Sequence, residues 1–177
     1  MVSIRRTIRS RAGVRTMSKL FMLLWALGCV AGLGCGPVLA ADDAPFASVI
    51  GWWGGEGRLG FKEGKTETVK CRVTYLSGES EREVAQSIRC ASSSGKVEIK
   101  SAIVAKGNQV SGTWSELVYN INGDLKGQIT ERGFKVDVEG GSLGASMDVI
   151  VKGNLQVIEI QFRSETLVGM TLVLKKG

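Results

Sequence analysis

From Gly51 onward, apolar and polar residues alternate with a period of two, and Gly, Asn or Ser interrupts the alternation about every 10 to 12 residues. No stretch of the mature chain keeps the 3.6-residue period of an amphipathic helix. Ten strand segments are predicted, at 52–61, 66–76, 83–91, 96–105, 109–116, 118–128, 133–139, 143–152, 155–163 and 167–175. In the second, Val69, Cys71, Val73 and Tyr75 face one way and Thr68, Lys70, Arg72 and Thr74 the other. The fourth sets Val97, Ile99 and Ile103 against Lys96, Glu98 and Lys100, and the seventh sets Phe134, Val136 and Val138 against Lys135, Asp137 and Glu139. One face buried and one wet is the pattern of antiparallel sheet.

The breaks between segments are short. Lys106-Gly-Asn108, Glu139-Gly-Gly-Ser142 and Lys152-Gly-Asn154 supply residues that tolerate positive φ, and none leaves room for a crossover helix. The expected fold is therefore all-β: an antiparallel up-and-down meander of eight to ten strands over residues 51–177, closed into a barrel that removes its own edges, with a β-sandwich as the alternative.

The first 40 residues read differently. Arg5, Arg6, Arg9, Arg11, Arg15 and Lys19 precede an apolar run from Phe21 to Val30, then Gly36-Pro37 and the small residues Val38-Leu-Ala-Ala41. That order is a Sec-type signal peptide, residues 1–40, cleaved at Ala40-Ala41, with 41–50 as a flexible tail. Met17 offers an alternative start, Arg5-Arg6 lies well upstream of the apolar run, and neither Cys29 nor Cys35 has the leucine three residues earlier that lipidation requires. A periplasmic or secreted protein without a membrane anchor after cleavage is expected.

This segment changes the meaning of the charge. Six of the 23 bases and none of the 17 acids lie in it, so the overall +6 belongs to the leader and the remainder carries 17 of each sign. No basic stripe is expected to hold nucleic acid. The chain has no histidine, which excludes Ser-His-Asp and Cys-His catalysis, histidine-ligated zinc and axial-histidine haem. No calcium loop, phosphate-cradling glycine motif or nucleophile elbow is present, and neither metal nor cofactor is expected.

Cleavage leaves Cys71 and Cys90, which an oxidising compartment would pair. A hairpin turn centred between Ser80 and Glu81 makes residues whose numbers sum to 161 face each other. That register opposes Cys71 to Cys90 and Val73 to Ile88, so the turn and the apolar pairs choose the disulfide's register independently of the cysteines.

Candidate binding residues are few. Trp53 and Arg58, in Gly51-Trp-Trp-Gly-Gly-Glu-Gly-Arg58, form either a platform at the barrel mouth or, for the tryptophan, a structural plug. Trp114 in Gly112-Thr-Trp-Ser-Glu116 faces the interior. Tyr119, Ile121, Gly123, Leu125, Gly127 and Ile129 are read as the inner face of the sixth strand, a mixture of large and small that either leaves a cavity or accommodates the tryptophans. Glu79, Glu81 and Glu83 read as a solvated turn.

These motifs, with Val69-Lys-Cys-Arg-Val-Thr-Tyr75, Ile88-Arg-Cys-Ala91 and Val110-Ser-Gly-Thr-Trp-Ser-Glu116, resemble a group of small secreted proteobacterial proteins, which brings no catalytic residue with it. Gly51-Trp-Trp53 at a first strand also resembles the calycins, the lipocalin and avidin barrels, although the strand-like Val168–Leu174 stands where lipocalins carry a C-terminal helix. The function expected is a non-enzymatic barrel that binds a small apolar or amphipathic molecule. The alternatives are a filled barrel acting as an envelope structural or protein/glycan interaction module, and a carboxylate-based hydrolase or isomerase.

Overall fold

A computed structural model describes residues 44–177; the expected leader lies outside the described residues. Ten strands follow in order: β1 (Gly51–Phe61), β2 (Thr66–Ser77), β3 (Glu83–Ala91), β4 (Lys96–Lys106), β5 (Gln109–Glu116), β6 (Ile121–Thr130), β7 (Gly133–Gly140), β8 (Leu143–Lys152), β9 (Leu155–Arg163) and β10 (Leu167–Lys176). Each pairs antiparallel with its neighbours in the chain, and β1 also pairs with β10, so the meander closes into a barrel. The described residues contain no helix. Connections this short leave each strand no partner but the next, which is why the order around the barrel is the order along the chain.

Alternation sets the two faces. Val69, Cys71, Val73 and Tyr75 are buried inside while Lys70 and Arg72 are exposed. Charged residues outside and apolar ones inside are the reverse of a barrel that crosses a bilayer. The disulfide joins Cys71 to Cys90 at the expected register, with Val73 opposite Ile88. The glycines at 107, 141 and 153 take positive φ in their hairpins, as turn chemistry requires. At Gly55 and Gly57 the constraint is space. A Cβ would overlap the carbonyl oxygens of Val173 and Thr171 on β10, so a side chain would force the closing strand away.

Two differences from the sequence reading stand out. The sixth strand begins at Ile121 rather than 118, because residues 117–120 form a turn in which Asn120 adopts φ 55°. Residues 44–50, read as part of a flexible tail, form a turn with Phe46 and Val49 buried in one end of the barrel. Apolar contact outweighs the cost of ordering that short segment.

Candidate functional site

The barrel has two unlike ends. One gathers the turns at 78–82, 107–108, 131–132 and 153–154 together with residues 44–50, and it is filled. Trp53 is fully buried and its Nε1 donates to the Val49 carbonyl over 2.7 Å. Phe46 meets Phe134 edge-on with ring centroids 5.8 Å apart, and Tyr75 meets the same ring at 6.5 Å. Burial pushes the Tyr75 phenol well above its ordinary pKa, opposed by Gln86 and Gln156. Gln86 Nε2 donates to the phenol oxygen over 3.2 Å. Gln156 lies at the same hydroxyl, but neither of its amide atoms makes a hydrogen bond of good geometry.

The other end opens between the turns at 62–65, 92–95, 117–120, 141–142 and 164–166. Here the inward side chains are mostly aliphatic, joined by Phe162 and Trp114, and they leave the lumen unfilled. Leu59, Val97, Ile99, Ile121, Leu143, Ile160 and Met170 surround a cavity of about 310 Å³. A chamber of about 70 Å³ continues below it, past Trp114, toward Leu125 and Met147. The buried Trp114 indole Nε1 has no hydrogen-bond partner.

Polar groups sit at the rim. Glu116 ends β5 on the same face as Val110 and Trp114 and is buried. Its Oε2 accepts from the Tyr119 N–H over 2.6 Å and its Oε1 from the Glu98 N–H over 3.0 Å. Burial opposes ionisation of this carboxyl, but the N–H groups of Tyr119, Glu98 and Val118 together prevail and hold it below its ordinary pKa. Across the rim, the Ser94 and Ser92 hydroxyls hold the Glu67 carboxyl low as well, and Ser94 Oγ donates to Glu67 Oε2 over 2.7 Å. Both rim carboxyls are thus shifted away from the raised pKa that suits a general acid near neutrality. No group of three metal-ligating His, Cys, Asp or Glu side chains occurs among the described residues.

Of the residues singled out from sequence, the structure brings Trp114 and Tyr119 to this cavity. Tyr119 reaches it from the turn at 117–120, largely exposed, rather than from the inner face of a strand. Trp53 lies at the filled end, locked to Val49. Arg58 points outward, where its Nη2 donates to Thr66 Oγ1 over 2.8 Å. Sequence reasoning missed Leu143, Ile160 and Glu116. The signal for Glu116 was present: it continues the inward series Val110, Gly112, Trp114, so an acid falls on a buried face.

No protein-family model matches the chain, and no curated protein matches it in sequence. Solved structures do match in fold. Rv2717c from M. tuberculosis superposes with a TM-score of 0.62 at 12% identity, over 74% of this chain and 94% of its own. The S-type phycobiliprotein lyase CPES from Guillardia theta superposes with a TM-score of 0.50 at 12% identity, over 72% of this chain and 88% of its own. The fold is calycin-like, and identity this low carries the fold alone.

Proposed function

We propose that this barrel is a non-enzymatic binding protein that holds a small apolar or amphipathic molecule in its open-end cavity. The observation that carries the reading is the cavity itself, about 310 Å³, walled mainly by aliphatic and aromatic side chains and opening at one end of a barrel whose other end is filled. Its volume falls at the lower end of small-molecule sites, which start near about 300 Å³. A filled barrel serving only as an interaction module is less well supported, because the cavity and the chamber below it leave that half of the lumen unfilled. The fold likeness to a lyase supports no chemistry in this chain at 12% identity.

The Cys71–Cys90 disulfide is compatible with a periplasmic or secreted protein. Native mass spectrometry of protein purified from its source tests the binding reading, and a copurifying small molecule is the expected result. A clean apo mass, together with no change in tryptophan fluorescence across a panel of fatty acids, alcohols and quinones, would overturn it.

A further inference from the structure

Turns at the ends of a barrel usually carry Gly, Asn, Ser and charge, as most of those in this molecule do. The turn between β5 and β6 has Asn120 at its positive-φ position but is otherwise apolar. Leu117, Val118 and Tyr119 follow one another there and are 48%, 43% and 63% exposed. Three consecutive large apolar side chains left in water mark a contact surface.

The turn is held in that state. Leu117 N–H donates to the Glu98 carbonyl over 2.8 Å, and the Glu116 carboxylate accepts from the Tyr119 N–H. With its backbone fixed at both points, the turn displays its side chains instead of folding them back onto the barrel.

Its surroundings identify the partner. Leu117 and Val118 border an outer groove of about 670 Å³ that also takes in Trp52, Lys70, Arg72, Arg89 and Lys96. Arg89 holds Glu98, the one acid in the groove's lining, over 2.8 Å, and Lys70 meets neighbouring Glu56 at 3.5 Å, which leaves a surplus of two positive charges from these four bases. Trp52 is about half exposed, with the Arg72 guanidinium 5.7 Å from its ring centroid. Apolar side chains on a protruding turn, with bases on the flank behind it, match an anionic bilayer surface, the acyl boundary receiving the first and the headgroups the second. Trp52 lies at the groove's far end, beside Gly177. A protein partner would need a pocket shaped to the protruding turn, whereas a fluid bilayer needs none.

The geometry points to this flank of the mouth as a docking surface for anionic lipid, with Leu117 and Val118 entering the boundary and Lys70, Arg72, Arg89 and Lys96 facing the headgroups. Tyr119, on the same turn, borders the cavity, so docking sets the mouth against the lipid. The inference goes beyond ligand binding and does not depend on it.

The test is cosedimentation of the protein with vesicles of phosphatidylcholine alone or mixed with phosphatidylglycerol. Binding to the mixed vesicles about tenfold or more tighter than to the neutral ones is expected, weakening as salt is added. The double variant Leu117→Ser/Val118→Ser should lose about tenfold, and Arg72→Glu should lose a similar factor only on the anionic vesicles. Both changes are on the surface, and an unchanged thermal melt checks that the variants fold. No binding to either vesicle, equal binding to both, or a double variant that binds like the wild type would each overturn the proposal. So would a protein that ignores vesicles but captures an acidic protein. If the wild type takes up a hydrophobic fluorophore yet ignores vesicles, docking fails and the ligand reading stands.

Discussion

The two ends of the barrel are built from the same ten strands with the same alternation, yet one is solid and the other hollow. The difference is in side-chain reach and in what is inserted from outside the sheet. A barrel of eight strands is just narrow enough for its inward side chains to fill, and ten strands make a wider lumen. At the filled end Tyr75 and Phe134 project far enough to meet, Phe46 is brought in from outside the sheet against Phe134, and Trp53 is tied to Val49 of the same segment. At the open end Phe162 and Trp114 reach inward among leucine, isoleucine and valine, but no segment from outside the sheet joins them and the lumen stays hollow. The lesson is that a wide meander is hollow by default and that aromatic side chains alone do not fill it; the filled end also has the inserted segment that brings in Phe46 and Val49.

Four perturbations sharpen this contrast, in descending order of effect. Trp53→Ala should remove about 3 to 5 kcal/mol, measured by urea unfolding. A loss below about 1 kcal/mol would mean that the filled end does not anchor the fold. Reducing the disulfide comes next. Cys71 and Cys90 are 19 residues apart, and opening a loop of that size should cost about 3 kcal/mol in the chain-entropy model, read as a lower thermal midpoint in reductant.

Glu116→Gln probes the rim. The amide keeps the shape but puts a donor against a backbone N–H, and about 2 kcal/mol should be lost at neutral pH. The folded carboxyl lies below its unfolded value of 4.5, so its contribution is present above that value and is lost as pH falls through the folded pKa. The gap between wild type and variant should therefore narrow in acid below about pH 4.5 and stay level above it. A constant gap across the acid range would show that ionisation of Glu116 contributes nothing. The smallest stability change is expected from Leu143→Trp, which fills the cavity. A change of less than about 1 kcal/mol should accompany the loss of hydrophobic-probe binding. If the same indole costs several kcal/mol, the open end is packed more tightly than its void implies.

Much of the fold can be read from the chain because period-two alternation and glycine turns are local signals. Val69 to Tyr75 announces its two faces without help from distant residues, and the Cys71–Cys90 register follows from one turn. The start of the sixth strand could not be read in the same way. Val118 and Tyr119 have strong strand preferences, which outweigh the single local turn signal, Asn120, whose φ is 55°. The role of Trp53 was open for a related reason. Its inward direction is local, but whether it meets a void or a plug depends on Phe46 and Val49. The cavity is the least legible feature, since it is set by residues such as Leu59, Ile121 and Ile160 that approach one another only around a closed circumference.

That closure also sets an order of events. Nine of the ten strand pairings join neighbours in sequence, whereas the tenth brings Trp53 of β1 to Lys176 of β10. Hairpins form in microseconds, but contacts of high contact order wait on a long loop closing. Sequence-local pairing thus favours the ladder before the β1–β10 seam, and any ribbon with that seam open exposes two unpaired edges. A chain halted before β10 would hold nearly every hairpin of the native protein and enclose nothing, so the cavity exists only once the seam has formed.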